Sequence, residues 1–250
     1  MENISKDKAI ELLDEDGSNL SDLSDEFKKD RDVVIAAVQN NGASLEYADD
    51  SLKSDKEIVS IAASNDGSAI EFADSSLKKD KEFILEIVQD NGSALQFADD
   101  DLKKDKDVVL EAVLNAGEAI QFADPKLKLD KEITLAAIKQ SAYAFEHVDD
   151  KYKADKEIVE IAISSDGYVL EHANKKFKKD KVIVLKALET SNLSNFTDID
   201  KKLLDDKDII NLAVEKSGSD LQYASAKLKK DKNIAKKEIE KSEYAFEYID

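Results

Sequence analysis

Along most of the chain, apolar residues fall three, four, seven and eight positions after a recurring aspartate, as Val108, Val109, Ala112 and Val113 do after Asp105. This spacing places all four on one stripe of an α-helix. The aspartate is an N-cap, because its carboxylate accepts N–H groups that the first turn leaves unpaired. An acidic residue two positions on (Glu57, Glu82, Asp107, Glu132, Glu157) suits the positive end of the helix dipole. All seven glycines (Gly17, Gly42, Gly67, Gly92, Gly117, Gly167 and Gly218) stand just past the stripe, where a left-handed residue is expected to end the helix. A short apolar phrase follows, such as SALQFA at 93–98, with length for a second, short helix. A further column of cap residues, including Asp74, Asp99 and Asp124, then opens a helical turn that ends on an apolar anchor such as Leu77 or Leu102.

The anchor aspartates are Asp7, Asp30, Asp55, Asp80, Asp105, Asp130, Asp155, Asp180, Asp206 and Asp231, spaced by 25 residues except for 23 after Asp7 and 26 after Asp180. A helix this short is marginal alone, so each unit must bury its apolar face against the next. The pattern predicts an all-α solenoid of ten stacked repeats of about 25 residues, each with one main helix, one short helix and a helical turn. These form a single repeat domain over residues 1–250. A column of alanines (Ala37, Ala62, Ala112, Ala137, Ala162, Ala187, Ala213) keeps the main helices close. Residues 1–24, two short of a full unit, read as an N-terminal cap-like repeat. Residues 228–250, with Glu238 in the alanine column, read as a C-terminal cap. NLSNFTDID at 192–200 has one extra residue and no glycine, which predicts an irregular junction with a kink or bulge.

The phrase LKKDKEFILEIVQDNGSALQFA, residues 77–98, resembles the tandem repeats of the family called domain of unknown function (DUF) 4116. Its leucine, KKDK, glycine and LQFA elements recur together at fixed spacing over essentially the whole chain. The resemblance implies an all-helical repeat protein and brings no activity, cofactor or site residue with it. The plan of one long and one short helix is similar to that of leucine-rich-variant repeats.

Thirty-seven basic against 56 acidic residues give a net charge of -19, which repels nucleic-acid phosphates and anionic lipid and favours a basic partner. No run approaches the roughly 18 apolar residues of a membrane span. The opening MENISKDKAIELL lacks the cationic start and apolar stretch of a secretory leader, and cysteine is absent, so the expected compartment is the cytoplasm. No P-loop, GxSxG or HExxH motif occurs. DEDGSN at 14–19 superficially resembles a calcium loop, but with Gly17 in the glycine place the end ligands would be Leu12 and Leu23. His147 and His172, the two histidines, are 25 residues apart in an otherwise aromatic column. Stacked layers are too far apart for both to reach a metal at about 2 Å. The expectation is therefore no catalytic, cofactor-binding or metal site.

What remains is a non-enzymatic scaffold that binds a protein or peptide along its surface. The candidate contacts are positions that vary between repeats: Leu114, Lys139 and Glu189 on the main helices, and Tyr143, Tyr168 and Tyr244 just after them. The alternative is an acidic inhibitor, an immunity or nucleic-acid-mimic protein that blocks a basic target.

Overall fold

The computed structural model describes residues 4–191 and 199–241, and among them every regular element is helical and no strand occurs. The chain divides into two compact units, Met1–Ala144 and Phe145–Asp250. The first holds the main helices α1 (Lys6–Glu15), α2 (Arg31–Asn40), α3 (Lys56–Asn65), α4 (Lys81–Asp90), α5 (Lys106–Asn115) and α6 (Lys131–Gln140). The second holds α7 (Lys156–Ser165), α8 (Lys181–Thr190), α9 (Lys207–Lys216) and α10 (Lys232–Lys241). Within each unit consecutive main helices pack side by side.

The anchor aspartates from Asp30 onward cap these helices. Asp105 Oδ1 accepts the N–H groups of Asp107 (3.0 Å) and Val108 (3.3 Å), and the stripe residues Val108, Val109, Ala112 and Val113 are fully buried. The first unit corrects the expected register. Its N-cap is Ser5, whose hydroxyl accepts the Lys8 N–H at 3.3 Å, whereas Asp7 lies in the first turn of α1. Counted from Ser5, the distance to Asp30 is the ordinary 25 residues, so this unit is not short. A hydroxyl caps as well as a carboxylate, and Asp7 occupies the place of Asp32 and Glu57.

The helix ends also differ from expectation. The residue before the glycine is extended (Asn41, φ -142°, ψ 105°), and its N–H donates to Ala37 O at 2.8 Å. The glycine then starts a six-residue 3₁₀ helix, Gly42–Tyr47 in this unit. None of Gly17, Gly42, Gly67, Gly92, Gly117 and Gly167 is left-handed, so the expected left-handed cap is overturned. What selects glycine is close approach between layers. A Cβ on Gly42, Gly92 or Gly117 would lie nearer than 3.0 Å to the carbonyl oxygen of Ala62, Ala112 or Ala137 in the next main helix. Alanine in that column and glycine in this one are two sides of a single contact.

Hydrogen bonds reinforce it. Gly42 N–H donates to Asn65 Oδ1 (2.8 Å) while Asn65 Nδ2 donates back to Gln39 O (2.9 Å). Asn40, Asn115 and Gln140 repeat this clamp against Gly17, Gly92 and Gly117. A backbone ladder joins the turns: Asp74 N–H donates to Lys53 O (2.9 Å) and Asp99 N–H to Lys78 O (3.0 Å) in the first unit, as Asn174 does to Lys153 O (2.9 Å) in the second. The connecting turn is α-helical at Ser75–Lys78 and 3₁₀ at Leu102–Lys104. The kink expected at 192–200 falls largely on residues 192–198, outside those described, as do residues 242–250 of the expected C-terminal cap. At Asp200 the ladder is in place, with its N–H on Lys178 O at 3.1 Å.

Candidate interaction surface

Burying the residues three, four, seven and eight places after the cap turns those at two, five, six and nine outward. The outer face is built from these four rows. On α4 they are Glu82, Leu85, Glu86 and Gln89; on α5, Asp107, Leu110, Glu111 and Leu114; on α6, Glu132, Leu135, Ala136 and Lys139. Leu114 is 55% exposed, while Leu85, Leu110 and Leu135 are half-buried. The candidates Leu114 and Lys139 thus share one row on adjacent helices of the first unit. Glu189 is exposed on α8 in the second. Tyr143 and Tyr168, also exposed, stand apart from these rows, each as the second residue of a short 3₁₀ helix. Tyr168 meets His172 edge to face, with ring centroids 5.6 Å apart. Tyr244 lies outside the described residues. The half-buried leucines were not among the candidates, although their signal was present: they are apolar at positions the buried stripe does not use.

Charge is organised by the repeat. The first cation of several main helices reaches the cap and the second helical residue of the next. Lys81 Nζ lies 2.8 Å from Asp105 and 2.9 Å from Asp107, and Lys106 lies 2.9 Å from Asp130 and 2.7 Å from Glu132. In the second unit Lys181 holds Asp206 (2.8 Å) and Asp208 (2.6 Å). Arg31 holds Asp55 and Glu57 in the same way. The Lys106 ammonium keeps the Asp130 carboxyl below its ordinary range, as Lys56 does for Asp80, with cap N–H groups adding to both. The KKDK lysines are also committed. Lys28, Lys78, Lys153 and Lys178 each donate to a carbonyl seven residues back, at the end of the short helix. Lys79 faces Asp99 at 3.9 Å.

Among the described residues no group of three or more His, Asp or Glu is placed to hold a metal. The depressions at Asp25–Lys29 with Asp49, and at Ser93 with Asn115 and Ser141, are open and lined by ladder and clamp residues. Asp220 is an oddity of the second unit, 6% exposed in a column that elsewhere holds Ala69, Ala94 and Ala119. Burial pushes its carboxyl up to about 6.

No curated protein and no solved structure matches the chain. Seven segments, at residues 5–53, 31–78, 55–103, 80–128, 105–153, 155–204 and 206–250, the first five overlapping in succession, match the family described as "Domain of unknown function (DUF4116)". Most of them begin on a cap residue, among them Ser5, Asp55, Asp80, Asp105, Asp155 and Asp206, and each takes in two main helices. With nearly every residue from Ser5 onward inside a matched segment, the chain belongs to the DUF4116 family as a tandem array of that domain.

Proposed function

We propose that this chain is a non-enzymatic scaffold: a solenoid of ten layers whose outer helix face binds a protein or peptide across consecutive layers, in the cytoplasm. The observation that carries this reading is a division of labour among columns. Buried positions repeat from layer to layer, whereas the outer row nine places after the cap reads Gln39, Ser64, Gln89, Leu114, Lys139, Ser164, Glu189 and Glu215. Variation there is not required by stacking, because the recurring glycine, amide and lysine positions supply the bonds between layers. The partner is a protein, since a net charge of -19 selects against nucleic acid and anionic lipid. The acidic-inhibitor alternative draws on the same charge, but cations alternating with carboxylates along the helix N-terminal edge weigh against it.

Affinity capture of the intact chain from its native cells, with cross-linking and mass spectrometry, tests the scaffold. Cross-links from one protein partner to consecutive layers are expected. Tight capture of RNA or DNA at physiological salt, a stoichiometric bound metal or cofactor, or no protein partner would overturn it.

A further inference from the structure

The outer rows are not equivalent in how their charges are paired. Many of the outer carboxylates are held by a cation. Asp32 lies 2.7 Å from Lys6 and Glu132 2.7 Å from Lys106 in the first unit. In the second, Glu160 lies 3.7 Å from Lys156, Asp208 2.6 Å from Lys181 and Glu215 3.8 Å from Lys237. On α4 and α5 three are not, although Asp107 there is held by Lys81. Glu82, Glu86 and Glu111 have no ion pair with any described residue; Lys56 on the preceding helix is bonded to Asp80 at 2.6 Å and acts on Glu82 and Glu86 only through longer-range attraction. The place of Glu86 and Glu111 is taken on α8 by Lys186.

The same two helices carry the apolar part of the face. Leu85 and Leu110 are half-buried on adjacent helices, and Leu114 is 55% exposed one turn beyond Leu110. The stack does not require a leucine at Leu114, since its row is polar in the neighbouring layers at Gln89 and Lys139. Three carboxylates without an ion pair, beside one exposed and two half-buried leucines on adjacent helices, complement a segment with apolar residues on one face and cations bordering it. The ridge spacing of packed helices, about 8 to 10 Å, accommodates a third helix in the groove between two.

We infer that the outer face of α4 and α5 is the docking platform for a basic amphipathic helix of the partner protein. This rests on the scaffold reading and gives it a place and a partner chemistry. Leu85, Leu110 and Leu114 receive the apolar anchors of the incoming helix. Glu82, Glu86 and Glu111 receive its lysine or arginine side chains, which draw the partner in and fix its direction.

Three synthetic peptides of about 18 residues, long enough to span the groove as a helix, test the platform on the full-length chain. The first has leucines at helical i, i+3, i+4 and i+7 spacing with lysines elsewhere, the second is its scrambled counterpart, and the third carries glutamate in place of lysine. Fluorescence anisotropy is expected to show binding of the first alone. The triple change Leu114→Lys, Glu86→Lys and Glu111→Lys should weaken it about ten-fold or more. Val182→Lys with Glu171→Lys, on the surface of the second unit, should leave it unchanged. Unaltered thermal unfolding of both variants confirms that they fold. Equal binding of the scrambled peptide, or equal weakening by the two variants, would show unspecific charge attraction and overturn the platform. So would absence of binding; in that case, cross-links from a captured protein to layers away from α4 and α5 would leave the scaffold reading standing, and capture of no protein would remove that as well.

Discussion

Gly92 faces the carbonyl oxygen of Ala112 so closely that a methyl group there would sit nearer than 3.0 Å to it. Main chain cannot swing aside as a side chain does, so Gly92→Ala should cost on the order of 2 kcal/mol in urea unfolding. Gly67→Ala should cost less, because the atoms it meets belong to the Asn91 side chain. Equal losses at the two positions would mean that backbone conformation, not contact with the next layer, fixes glycine. The importance of the glycine column was plain in the sequence; its cause was not, because the obstructing atom is about 20 residues downstream. Asp220 gives a second test at this scale. Its folded pKa of about 6 lies above the ordinary carboxylate value of 3.8, so the folded state binds the extra proton between them. Stability therefore falls as pH rises through that window and the penalty is complete above it. Asp220→Asn should raise stability at pH 7 by on the order of 1 kcal/mol, allowing for solvent screening, and should flatten the slope between about pH 4 and pH 6 in equilibrium unfolding.

Each main helix is an element the sequence nearly spells out, because a 3.6-residue period and a cap residue coincide. Where the sequence misled, two residues close in the chain competed for one role. Ser5 and Asp7 both precede the apolar stripe of α1, and the more familiar Asp was the wrong choice. Ser5→Ala should lower stability by about 1 kcal/mol, as loss of a cap does, while Asp7→Ala, which removes only a first-turn charge, should lower it by less. The reverse ranking would restore the shorter first repeat. The 3₁₀ form of the second helix was not legible either, since six residues carry too little periodicity to separate 3.0 from 3.6 per turn. At the helix starts, acid has the opposite sign to its effect at Asp220. The Lys106 partner depresses the Asp130 pKa, so the stabilisation is present above the unfolded value of 3.8 and is lost as pH falls through the folded one. Acid unfolding below pH 4 should therefore steepen in low salt. Replacing Lys106 by Met should shift it to higher pH.

At the scale of the whole molecule, repetition itself was the most readable feature, since matching columns at 25-residue spacing leave stacking as the way to bury them. The outer face was only half legible. Leu114 and Lys139 stood out as variable positions, but which carboxylates are left unpaired depends on where each lysine of the preceding layer reaches. The same dependence on neighbours predicts how the molecule comes apart. If stability is a sum of local terms and nearest-neighbour interfaces, damage at one layer should not travel far. Ile234 is fully buried on α10, in a cluster with Ile210, Val214, Leu221, Ala224 and Leu228. Ile234→Asp places an unpaired charge in that cluster and should open the interface between α9 and α10. Native-state hydrogen exchange should then show lost protection in α9 and α10 with unchanged protection in α2 to α5. Uniform loss along the chain would mean one cooperative core, and a solenoid built on nearest neighbours would not survive that result.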